Sequence, residues 1–117
     1  MVELTVTNIS KDTCVGTKIR LANSFWSRLR GLLGVKNLAR GEGLLLSPCQ
    51  MVHGLGMRLS IEAVYLDGDG RVIGIYKLKP GCLGPFLRRA AQVLELPLGT
   101  VSDSATEIGD LLQSTRT

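Results

Sequence analysis

The chain has 117 residues, of which 44% are hydrophobic and 21% charged. That is one domain's worth of ordinary globular composition, which excludes disordered, collagenous and low-complexity classes. The net charge of +4 is uneven, +5 over residues 1–59 and −1 over residues 60–117, and aromatics make up only 4%. Both features fall short of the clustered basic face and stacking platform of a nucleic-acid binder.

The first strand is expected at Glu3–Thr7, where Leu4 and Val6 alternate with polar neighbours. Ser10-Lys11-Asp12 supplies turn chemistry, and Cys14–Leu21 alternates again, so the two runs predict a hairpin. A helix follows near Ser24–Leu33, capped by Asn23 or Ser24. Phe25, Leu29, Leu32 and Leu33 share one apolar face, and Gly34 is placed to end the helix. Gly31 inside it implies a close packing partner. Gly43–Ser47 reads as a buried strand stopped by Pro48, and Cys49–Arg58 as a structured loop that folds back on the core and lines the largest pocket. Ile61–Leu66 and Val72–Leu78 flank Asp67-Gly68-Asp69-Gly70, a strong hairpin signal. A short helical turn is expected at Leu87–Ala91, then a strand Val93–Leu96 ended by Pro97. A short helical segment from Gly99-Thr100, with Thr100 or Ser102 as cap, and a last strand Asp110–Ser114 complete the chain. The fold class is therefore mainly β, on the α+β border. The expectation is one compact domain, residues 1–117. It is an antiparallel β barrel or sandwich of six or seven short strands, with one covering helix and one short helical segment.

Cys14, Cys49 and Cys82 are odd in number and lack C-x-x-C spacing, which argues against a disulfide framework or zinc knuckle. The start, MVELTVTNISKD, has no basic region followed by an apolar one, so no signal peptide is expected. No apolar run approaches the roughly 20 residues of a membrane span. A cytoplasmic location with reduced thiols is the expectation.

Chemistry concentrates in Pro48–Arg58. Cys49, His53 and Met57 are soft or borderline ligands at even spacing, a set that suits copper. His53 is the sole histidine, so a blue-copper centre would lack its second imidazole. Plain core packing of Cys49 and Met57 is the simpler reading, and no metal or cofactor is expected. Cys49 with His53 is also the minimum for an activated thiol. Glu95, inside an otherwise apolar strand, reads as standing on the exposed face of a half-buried strand; the alternatives are that it lines a pocket or pairs with a base such as Arg58 or Lys79. The candidate pocket is Cys49, His53, Met57, Arg58 and Glu95. Arg28 and Arg30 read as solvated, with an anion contact as the alternative.

Several segments recur together in one known family. They are Phe25–Gly34 (FWSRLRGLLG), Gly41–Leu46, Pro48-Cys49 with Val52-His53 and Gly56–Arg58, Ile61–Asp67, Asp69–Val72, Val93–Pro97 with Gly99, and Gly109-Asp110. In order and spacing the chain resembles the family called domain of unknown function 192. The resemblance implies a small, mainly β domain with short helices, found in bacteria and archaea, and it implies no activity. Ser60 and Glu62 stand where the family pattern has Pro and Asp, and relatives carry other residues where His53 stands. A non-catalytic binding or accessory protein is the functional expectation, its partner an unidentified small molecule or protein. The alternative is a small enzyme using Cys49 or Glu95 in nucleophilic or acid–base chemistry.

Overall fold

Residues 2–33 and 35–117 are described by this computed structural model; Gly34, the expected helix terminator, and the Phe25 side chain lie outside the described residues. The alternating runs become strands. β1 (Glu3–Asn8) and β2 (Thr13–Ala22) form the first hairpin, and β3 is Glu42–Leu46. The Asp-Gly turn joins β4 (Ile61–Leu66) to β5 (Val72–Leu78), paired antiparallel. β6 (Gln92–Pro97) and β7 (Leu112–Arg116) follow. α1 (Phe25–Arg30) lies between β2 and β3, and α2 (Thr100–Asp103) between β6 and β7.

Among the described residues all seven strands join one sheet, in the order β5-β4-β6-β3-β2-β1-β7. The sheet curls into an open half-barrel, neither a closed barrel nor a sandwich. An isolated bridge between Arg71 and Leu111 ties the start of β5 to the approach of β7. The sheet is mainly antiparallel, as expected, with one exception: β2 and β3 run parallel, with Lys18 opposite Glu42 and Ala22 opposite Leu46. Parallel neighbours need a crossover of a dozen residues or more. Residues 23–41, with α1 among them, provide it.

Because side chains alternate across a strand, the sheet presents two apolar faces. Val6, Ile19, Leu45, Val64 and Leu94 fill the first. Leu44, Leu46, Ala63, Tyr65 and Val93 line the second, which Leu32, Val52, Met57 and Ala90 cover. Glu95 sits opposite Leu44 on β3 and Ala63 on β4, so its side chain belongs to that second, covered face.

The helices differ from expectation in their ends. Ser24 caps α1 in a capping box: its hydroxyl accepts from the Ser27 N–H at 3.1 Å, while the Ser27 hydroxyl accepts from the Ser24 N–H at 3.0 Å. Gly31, expected mid-helix, instead terminates it with φ 48°. Only Glycine adopts that conformation at little cost. The helix is therefore six residues long, and the apolar periodicity beyond Gly31 does not apply. Leu32 is 2% exposed, but Leu29 is 52% and Leu33 57% exposed, so the expected common buried face does not exist. α2 is not capped by Thr100 or Ser102. Its N-cap is Gly99, and the Glu62 carboxylate reaches over from β4 to accept from the Gly99 and Val101 N–H groups at 3.1 and 2.9 Å. Leu87–Ala91 forms one turn, as expected, closed by Ala90 N–H to Leu87 C=O at 3.1 Å.

Candidate functional site

The segment after β3 leaves the sheet at Pro48 and runs back across the covered face. It does not float: residues 49–57 are laced to residues 79–91 by backbone hydrogen bonds. The Cys49 N–H donates to Ala91 C=O at 2.9 Å, Gly84 N–H to Val52 C=O at 2.9 Å, and Leu87 N–H to Gln50 C=O at 3.0 Å. Gly54 donates to Cys82 C=O at 2.6 Å and accepts from Gly81 N–H at 2.7 Å. No larger residue fits there, since a Cβ on Gly54 would collide with the Lys79 carbonyl oxygen. Tyr65 pins the outer segment from below, its hydroxyl donating to the Pro85 carbonyl at 2.7 Å. Burial pushes that phenol up to about 12, so it remains a donor at physiological pH.

Between this double loop and α1 lies a cavity of about 290 Å³. Cys49, His53, Met57 and Glu95 all line it; Arg58, exposed, is not among its lining residues. Its apolar floor is Leu32, Leu46, Val52 and Met57, each at most 7% exposed. Its mouth is formed by the half-exposed Leu29, Leu33, Met51 and Leu55, together with Arg28 and Arg30. A second hollow of about 380 Å³ lies alongside α1, lined by Trp26, Ser27 and Val35 among others. The loop thus lines the smaller of the two, not the largest as the sequence suggested.

The polar groups of the first cavity are under-satisfied. Glu95 is 3% exposed, and its Oε1 has no hydrogen-bond partner. His53 Nδ1 is likewise buried and unpartnered. Among the described residues only one other buried side-chain polar atom, Thr100 Oγ1, shares that condition. Most buried polar groups in folded proteins are paired, so two orphans on one cavity wall are informative. Burial alone pushes the Glu95 carboxyl up to about 7, because desolvation penalises the charged form.

Cys49 is chemically quieter than a nucleophile would be. Burial raises its thiol, outweighing the lowering effect of its bond to Met51 and of the nearby Arg28 charge. Its Sγ donates to the Met51 carbonyl at 3.1 Å. No group of three or more His, Cys, Asp and Glu side chains suited to a metal occurs among the described residues, and no helix there is long and apolar enough to cross a membrane. Arg28, Arg30 and Leu29 are cavity residues that stood outside the candidate pocket expected from sequence. Their signal, two arginines flanking a leucine on the capped helix beside Pro48-Cys49, becomes legible only once the helix is known to face the loop.

The model of the family domain of unknown function 192 (DUF192, "Uncharacterized ACR") matches residues 6–114. A UPF0127 protein of Pyrococcus furiosus is 29% identical over 93% of this chain and 97% of its own length. One from Thermococcus kodakarensis is also 29% identical, over 96% of this chain and 74% of its own length. Two solved structures share the fold. One is a protein of unknown function from Novosphingobium aromaticivorans, with TM-score 0.79 and 21% identity over 94% of this chain and 82% of that one. The other is a candidate transcription regulator from Sinorhizobium meliloti, with TM-score 0.77 and 24% identity over 95% and 91%. At those identities the likeness is one of fold alone.

Proposed function

The chain belongs to the DUF192 family, and from that premise we propose that it is a non-catalytic binding or accessory domain that holds one small organic molecule between α1 and the 48–57 loop. The observation that carries this reading is the Glu95 carboxyl, buried with Oε1 unpartnered on the wall of an open cavity. A buried polar group without a partner costs about 1–3 kcal/mol, a cost that a ligand donor would offset. Apolar walls with a few convergent polar groups are the usual construction of a small-molecule site, and the volume sits near the low end of the roughly 300–1,000 Å³ range of such sites.

A second reading, acid–base catalysis by Glu95, is favoured by its burial, which pushes the carboxyl up to about 7, the range in which a general acid or base works best. Cys49 as nucleophile lacks comparable support, since its thiol is raised rather than lowered. A fragment screen followed by NMR of the Leu46, Val52 and Met57 methyl groups tests the binding reading. Shifts confined to these methyls and saturating with concentration are expected; methyls that ignore every fragment would refute it.

A further inference from the structure

The charges around the cavity are asymmetric. Among the described residues Glu95 is the only acid on the wall, and it is buried beside the apolar floor. Arg28 and Arg30 are, among the described residues, the only basic side chains on that wall besides His53. Neither arginine belongs to an ion pair among the described residues, although Lys11 and Arg40 do. Arg28 lies close enough for its charge to act on the Cys49 thiol, within the lining. Between the two ends the surface is aliphatic, from Leu46, Val52 and Met57 inside to Leu29 and Leu55 at the mouth.

Resting on the binding reading above, we infer that the cavity is built for a bifunctional aliphatic molecule. Its outer end is an anion, such as a carboxylate, held by Arg28 and Arg30. Its inner end is a hydrogen-bond donor, a hydroxyl or ammonium, that meets Glu95 Oε1 and His53 Nδ1. Each end answers a group that the protein leaves unmatched. Guanidinium groups favour planar anions such as carboxylates, and an apolar body buries against the leucine and methionine walls. A simple cation is disfavoured because it must pass two arginines, and a plain fatty acid because it leaves Glu95 unpaired.

Four probes of equal chain length separate these terms on the intact chain: 8-hydroxyoctanoate, octanoate, 1,8-octanediol and octylamine. Affinity is read from the cavity methyl shifts. The hydroxy acid is expected to bind roughly tenfold more tightly than octanoate or the diol, the factor that one charge-assisted hydrogen bond supplies. Glu95→Met keeps the cavity wall apolar and should erase the advantage over octanoate. The double substitution Arg28→Ala with Arg30→Ala, at a half-buried and an exposed position, should erase the advantage over the diol. Octylamine or the diol binding as tightly as the hydroxy acid would overturn the inference and leave the binding reading standing. So would an order of affinities that neither variant changes. If none of the four moves the methyls, the inference also fails, and the fragment screen alone decides the broader reading.

Discussion

Two carboxyl groups of this protein are displaced in opposite directions, for opposite reasons. Glu95 is raised from its ordinary 4.5 to about 7 by desolvation. The folded state therefore binds that proton more tightly than the unfolded chain. The resulting stability is fully present below pH 4.5 and is lost as pH rises through 7, a span on the order of 3 kcal/mol. Glu95→Gln should melt higher than the parent at pH 8, with the gap closing by pH 4.5 in a thermal-denaturation series. Asp110 shows the reverse. The Asn8 side-chain amide donates to it at 2.9 Å, the Lys11 ammonium at 2.8 Å, and the Glu107 N–H at 2.9 Å. With the Asn8 bond the largest cause, these donors hold the carboxyl down from 3.8 to about 2. Its stabilisation is present above pH 3.8 and fades as pH falls through 2. Asp110→Asn should melt lower than the parent at pH 6, and the two curves should converge on acidification; a constant gap would rule out the ionised form as the cause.

At the scale of elements, α1 and the double loop decide the cavity's shape. Leu32, just past the helix, carries the packing that the apolar face was expected to share. Leu32→Ala should cost about 2–5 kcal/mol, as buried leucine truncations do. Leu29→Ala should cost far less, because its side chain is half exposed at the mouth; urea unfolding of the pair checks the contrast. In the double loop, Gly54→Ala drives a methyl into the Lys79 carbonyl and within 3.2 Å of the Cys82 carbonyl. A loss of about 1–3 kcal/mol is expected from that overpacking, with faster hydrogen exchange at the Gly54, Gly81 and Gly84 amides.

At the scale of the molecule, what could be read from sequence was what local pattern encodes. Period-two runs gave β1 and β2 their places, and Asp67-Gly68 between two hydrophobic runs marked the β4–β5 hairpin. The parallel pairing of β2 with β3 was not read, although the long stretch from Ala22 to Glu42 is the crossover that such pairing requires. Helix periodicity misled at Leu33, which lies past the Gly31 stop, and at Leu29, which lies within α1 yet is half exposed. The candidate site was legible only in part. Cys49, His53 and Met57 are local in sequence, and Glu95 stood out as an acid in an apolar strand. That all four line one cavity depends on β3 pairing with β6, a contact between distant segments. Arg58 shares the local motif but not the cavity, and Arg28 and Arg30 have the opposite history.

The most direct test of a buried, unpartnered carboxyl waiting on that cavity is the titration of Glu95 itself, followed by ¹³C NMR of its carboxyl carbon in the intact protein. A midpoint near 7 is expected. A midpoint near the ordinary 4.5 would mean that the group is solvated or already paired, and would contradict the cavity as a site prepared for a ligand.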